Sequence, residues 1–177
     1  LDLISGTVTD EPCPKPWQEF PPKQQEALLA TRTRVLRIVP GADEDLSWGM
    51  PTLRIDGDIL LSLHGFSGHN SVFPGAGAIQ ALGSLLDGYT VTRGTIHFDR
   101  DRALSVAFAR SLVAACLTSL NDSYPKRSGL YKQYHANGGV KVRGKLKDGV
   151  RHGEWRWWKA DGELARTRRY KLGKLAP

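Results

Sequence analysis

The sequence predicts an α+β fold, an antiparallel sheet covered by helices, with a small all-β module of hairpins behind it. Three observations predict it. Apolar residues recur at helical spacing in three separated stretches, and short strand-like runs ending at Gly-containing turns lie between them. After Ser123 a hairpin-like pattern repeats with a period of 24 residues. The order helix, three strands, helix, one or two strands, helix then argues for an antiparallel sheet under helices.

Residues 1–20 contain Pro12, Pro14 and Pro16 without apolar periodicity and read as an extended leader with Cys13 exposed. A helix starts behind Pro21-Pro22. It places Leu28, Thr31, Val35 and Ile38 on one face and Arg32, Arg34 and Arg37 on the other, and stops at Pro40-Gly41. Two strands flank Asp56-Gly57, a strong hairpin turn, and a third runs from His69 to Phe73. A glycine-opened helix carries Ile79, Leu82 and Leu86 on one face and stops at Gly88. A strand pair from Thr90 to Phe98 breaks at Arg93-Gly94. The last helix, about Ala103 to Leu120, buries Leu104, Phe108, Leu112 and Ala115, with Asp99 or Asp101 as cap. Residues 21–122 form this domain and 123–129 a polar linker.

In residues 130–177, Tyr131, Tyr134, Gly138, Val140 and Gly149 recur as Trp155, Trp158, Gly162, Leu164 and Gly173. Asn137-Gly138, Asp148-Gly149 and Asp161-Gly162 mark turns, so about four strands of twisted sheet are expected. So little sheet needs support from the main domain, from its own aromatics or from a second copy.

The 177 residues carry a net charge of +7, and its two parts differ in sign. Residues 1–122 hold 10 basic and 14 acidic side chains, net −4, and residues 123–177 hold 15 and 4, net +11. The basic third points to an anionic partner, a nucleic acid, membrane surface or acidic protein, or else to a solvated face. Two Cys, at 13 and 116, make neither a disulfide framework nor a zinc pair, and no apolar run is long enough to span a bilayer. A reducing, cytoplasmic setting is the expectation. Leu1 in place of an initiating Met reads as a trimmed start, which leaves room for a targeting segment upstream.

Residues Phe20 to Leu120 resemble the YdhG-like family, also called domain of unknown function 1801. The resemblance rests on Trp48-Gly49-Met50-Pro51, His69, Phe73-Pro74-Gly75, Ala78-Ile79 and Gly94-Thr95-Ile96 with Phe98, in the family's order. Arg93 stands where Lys is usual, and Asp99 where Pro often follows. The resemblance implies a frataxin-like architecture and, from one branch, an intracellular iron chaperone. Residues 130–174 resemble two units of the MORN repeat variant, the second degraded where Arg168 replaces Gly144. That resemblance implies a module binding proteins or lipid surfaces.

No nucleophile elbow, Cys-His pairing signature or P-loop is present, so nothing points to an enzyme. The candidate ligand pocket comprises Trp48, Met50, His69, Phe73, Gly75, Gly77, Arg93 and Thr95. In it the free N–H groups of a glycine-opened helix receive an anion, if the Arg93 loop converges on them. A tight strand-to-helix turn accounts for the same glycines, and core packing for Trp48, Met50 and Phe73. Asp43, Glu44 and Asp45 are the acidic cluster that iron would need, or simply solvated turn residues. His64 and His69 lack helical ligand spacing and are assigned no metal.

In the tail, Lys141, Arg143, Lys145 and Lys147 alternate along one strand as a basic stripe, joined by Arg156 and Trp157 as the anionic-partner site. Trp155 and Trp158 read as packing residues and Trp157 as the freer ring. The expected protein is thus a non-enzymatic small-ligand or iron-handling domain fused to a basic interaction module. The alternative is a nucleic-acid or anionic-surface adaptor acting through the tail.

Overall fold

The computed structural model describes residues 13–176. The first twelve positions of the expected leader therefore lie outside the described residues. The segment from Cys13 onward is not extended: Lys15–Trp17 form a 3-10 turn, and Trp17 is fully buried. Cys13 is half-buried against the core rather than exposed. An apolar ring as large as indole outweighs the preference of the surrounding prolines for extended chain.

Helix α1 (Pro22–Ile38) and helix α3 (Val106–Ser123) pack on one face of a six-stranded antiparallel sheet. Its strands are β1 (Asp43–Ser47), β2 (Met50–Ile55), β3 (Asp58–Gly65), β4 (Asn70–Phe73), β5 (Thr90–Val91) and β6 (Ile96–Phe98), in the order β1-β2-β3-β4-β6-β5. The short helix α2 (Ala76–Leu82) crosses between β4 and β5 and packs on α3. Leu53, Leu61, Leu63, Val72 and Ile96 meet Leu28, Val35, Leu112 and Cys116 in the core. The Cys116 thiol is pushed up to about 12 by that burial, which suits a packing role.

Several elements depart from expectation for identifiable reasons. Asp43–Ser47 is an edge strand paired to β2 and not a turn, because its backbone completes the β2 ladder whatever its charge. Arg32 lies on the buried side of α1, made tolerable by Glu44 at 2.6 Å. Helix α2 ends at Leu82 rather than Gly88, where Gly83 turns to φ 52 and a 3-10 turn (Gly83–Leu86) follows. The cap of α3 is Ser105, whose hydroxyl accepts from the Phe108 N–H, while Asp99 receives the Asp101 N–H.

The tail is a five-stranded antiparallel meander of β7 (Gly129–Tyr134), β8 (Val140–Lys147), β9 (Val150–Trp158), β10 (Leu164–Lys171) and β11 (Lys174–Leu175). It rests on the main domain. Tyr134 is buried in the common core, Asn121 of α3 accepts from its N–H at 2.8 Å, and its hydroxyl donates to Asp58. Lys132, also buried, reaches Asp56 at 2.6 Å and Asp58 at 3.6 Å. Burial opposes the Lys132 charge, yet the two carboxylates outweigh it and hold the ammonium above its ordinary value. Residues 123–129 thus connect two docked bodies, and Tyr124 within them donates to Asp58. Among the described residues no helix is long and apolar enough to cross a membrane.

Candidate functional site

The large sheet has two ends. One carries the β1–β2 turn, the β3–β4 turn and the β6–α3 loop; the other carries the β2–β3, β4–α2 and β5–β6 connections. This divides the expected pocket. Gly75 and the Arg93–Thr95 loop do converge at the second end, where the Gly75 N–H donates to Gly94 O at 3.3 Å. A Cβ on Gly94 would lie 3.6 Å from the Gly75 Cα, and one on Gly77 would lie 2.2 Å from Ser119 Oγ. Close approach to Ser119 therefore accounts for Gly77 and the left-handed backbone, φ 85, for Gly75, while the Gly94 contact is an ordinary one. Trp48 and Met50 lie at the first end with His69, separated from Phe73 and Gly75 by the length of β4, ~13 Å at ~3.3 Å per residue. Trp48 sits at a turn tip with φ 52 and is 79% exposed, not a pocket wall.

The three carboxylates of β1 are also divided, since neighbours on a strand face opposite sides. Glu44 stands opposite Leu53 and pairs with Arg32, whereas Asp45 pairs with Arg54 at 2.8 Å. Among the described residues no group of three or more metal-ligand side chains assembles. The donor set that iron would require is not gathered here.

What the first end does gather is imidazole. His69 stacks on Phe66 with ring centroids 5.1 Å apart and meets His97 edge-on at 4.3 Å. Ser71, opposite His97 in the β4–β6 register, holds its Nδ1 at 2.9 Å. Burial pushes His69 below its ordinary value, and the neighbouring His97 adds to the shift. His64, between Phe20 and Phe66, is likewise lowered by burial. Buried Asn70 pins this end: its amide donates to the Asp99 and Arg100 carbonyls and its Oδ1 accepts from Gln24. Beside the imidazole pair opens a cavity of about 640 Å³ whose walls include Tyr89, Arg102 and Ser105. Sequence reasoning reached only His69 here, because the other walls are brought in by strand order.

In the tail, Lys141, Arg143, Lys145 and Lys147 are all exposed along β8. Arg156 stands opposite Arg143 and pairs with Glu154 at 2.7 Å, while Arg143 approaches Asp56 at 3.7 Å. These residues share a face with Lys132, and a groove of about 620 Å³ runs between Arg143, Lys145, His152 and Arg156. Trp157 does not belong with them. It lies opposite Val142, on the other side of the sheet.

That other side holds the denser constellation. Trp155 is buried over Gly144, where a Cβ would come within 2.2 Å of the indole, and its Nε1 donates to Lys145 O at 3.1 Å. Tyr131 and Trp157 flank it, with centroids at 5.4 and 6.0 Å. The Arg151 guanidinium lies 4.8, 5.2 and 5.4 Å from the rings of Trp155, Trp157 and Tyr170, and Arg166 lies 4.3 Å from Trp157. Trp157 is thus covered by two cations rather than free. Alternation along β9 and β10 was the signal that would have found Arg151, Arg166 and Arg168.

No protein-family model matches the chain, and no curated protein matches it. Among solved structures, the chain is similar to a YdhG protein of the domain of unknown function 1801 family from Bacillus subtilis. The TM-score is 0.54 at 15% identity, over 60% of this chain and 87% of that one. At that identity the likeness is one of fold: the chain shares the α+β, antiparallel-sheet architecture of that protein.

Proposed function

We propose that the protein is a non-enzymatic adaptor that binds nucleic acid through the arginine–tryptophan face of its C-terminal sheet, with the α+β domain as the body that holds the sheet. The observation that carries this reading is the stacking of Arg151 and Arg166 on Trp155, Trp157 and Tyr170. A guanidinium stacked on a ring keeps its charge and much of its N–H fork for an outside acceptor and is oriented in advance. Arg151, Arg166 and Arg168 make no ion pair among the described residues. The carboxylate carried by these strands, Glu154, is on the opposite face and engaged by Arg156. Phosphates supply the missing acceptors.

A lipid surface fits less well. Insertion favours aromatic residues at hairpin tips, but these rings lie mid-strand, and three of the four turns are Asn137-Gly138, Asp148-Gly149 and Asp161-Gly162. Two observations support placing the body in the YdhG-like family: the motif order from Phe20 to Leu120 and the fold likeness. The meander and its 24-residue recurrence support the MORN-like reading of the tail. The iron-handling role implied by the family has no gathered ligand set to support it.

The test is anisotropy of labelled single-stranded and duplex oligonucleotides against salt. Binding should weaken steeply with salt, and Arg151→Ala with Arg166→Ala should reduce the magnitude of the log–log slope by about 2. Absence of binding at about 50 mM salt, or an unchanged slope in the double variant, overturns the reading. Binding to anionic vesicles without binding to oligonucleotides would overturn it in favour of a lipid surface.

A further inference from the structure

The cavity at the imidazole end is independent of the tail and has features that the packing of the sheet does not require. We propose that it binds a small oxyanion, a carboxylate or phosphate borne on a planar body. Arg102 acts as counter-ion, His69 and His97 as hydrogen-bonding groups, and the Tyr89 ring as a wall.

The walls carry one cation, Arg102, and one carboxylate, Asp99. Arg102 makes no ion pair among the described residues, whereas the neighbouring Arg100 is engaged by Asp101 at 3.1 Å. Asp99, the carboxylate in the lining, already accepts the Asp101 N–H at 2.8 Å. Among the described residues neither imidazole of the 4.3 Å pair makes an ion pair with an acid, which leaves that role to a ligand. The pair is nonetheless fixed in place, by Phe66 stacked on His69 and by Ser71 on His97 Nδ1. With Nδ1 engaged, His97 keeps Nε2 as its other polar atom. Burial and the neighbouring His97 lower His69 from its ordinary value, which favours the neutral ring that donates one N–H and accepts at its other nitrogen.

The shape agrees. At about 640 Å³ the cavity is within the range of small-molecule sites and would admit a ring with its headgroup. Tyr89 is itself held by Phe108, stacked at 4.5 Å, so the wall is rigid. The first turn of α3 begins at Ser105 in the same lining and adds positive dipole character behind Arg102.

The experiment titrates the full chain with inorganic phosphate, phenyl phosphate and benzoate in separate arms, followed by calorimetry and by imidazole nitrogen NMR. One ring-bearing probe is expected to saturate in the millimolar range or tighter and to move the His69 and His97 resonances. The tighter of phenyl phosphate and benzoate identifies the headgroup. Arg102→Gln, at an exposed position, should weaken binding about tenfold, and His97→Gln should weaken it too, while Arg151→Ala with Arg166→Ala leaves it unchanged. Failure of all three probes to saturate by about 20 mM overturns the proposal. So does undiminished affinity in Arg102→Gln, or loss of binding in the tail variant. Because the tail variant reports on the nucleic-acid face alone, either reading can fail while the other stands.

Discussion

Lys132 shows how much one side chain decides. It is buried between Asp56 and Asp58 of the β2–β3 hairpin, with the Asp56 carbonyl accepting a further hydrogen bond at 2.9 Å. Replacing it with Met keeps the apolar stem but leaves two carboxylates facing one another beside the Tyr124 and Tyr134 hydroxyls. Both carboxylates keep about a third of their surface in water. The cost should therefore fall below the usual penalty for breaking a buried pair, at about 2 kcal/mol. Urea unfolding of Lys132→Met against the parent checks this, and an unchanged midpoint would contradict it. The importance of Lys132 was not legible in the sequence, where it is one cation among fifteen in the basic third. Nothing local marks the one that meets distant acids. The separation of Trp157 from Arg156, by contrast, follows from strand alternation alone.

Among the elements, the β8–β9 pair is tuned by one missing side chain. Gly144 leaves the space in which the Trp155 indole lies, beside Tyr131 on β7. Gly144→Ala would place a methyl inside the ring, so the indole, flanked by Tyr131, Trp157 and Arg151, must swing out. Overpacking of this kind costs about 1–3 kcal/mol. Tryptophan emission should shift to the red and protection of β8 and β9 amides should fall, as fluorescence and hydrogen exchange would show. The corresponding place in the second repeat unit is Arg168, opposite Trp155 on β10. No aromatic residue stands on β11 to require a glycine there. Elements with turn chemistry of their own were legible: Asp56-Gly57, Asn137-Gly138 and Asp161-Gly162 all fall between paired strands. Strand β1 was not, because Asp-Glu-Asp-Leu-Ser has no apolar alternation and owes its conformation to the β2 edge. The division of the expected pocket was hidden for a related reason: residues that cluster in loops can belong to opposite ends of one sheet.

For the whole molecule, the two sheets share a core. Tyr134 of the tail is buried with Val39 and Ile55 of the main domain, and a Cβ on Gly138 would lie 2.9 Å from Val39. Contacts of that closeness couple the bodies, so the folded chain should lose both in one step. Thermal transitions followed by near-ultraviolet signal, which senses the three tail tryptophans together with the buried Trp17, and by far-ultraviolet signal, which also senses the helices, are expected to coincide. An early, partial loss of the tryptophan signal with the helical signal intact would show that the tail unfolds alone.

The Lys132 clasp also joins residues 13–122, of net charge −1, to residues 123–177, of net charge +11, at a fixed angle. Such a molecule carries a permanent electric dipole as well as a net charge. Within about 10 Å of a polyanion at 0.1 M salt, it experiences a torque in addition to an attraction. On the proposed nucleic-acid reading it would arrive basic sheet first. The body, with 10 basic and 11 acidic side chains over residues 13–122, is close to neutral, so in the proposed complex the clasp that stabilises the fold would also hold an almost uncharged face away from the polymer.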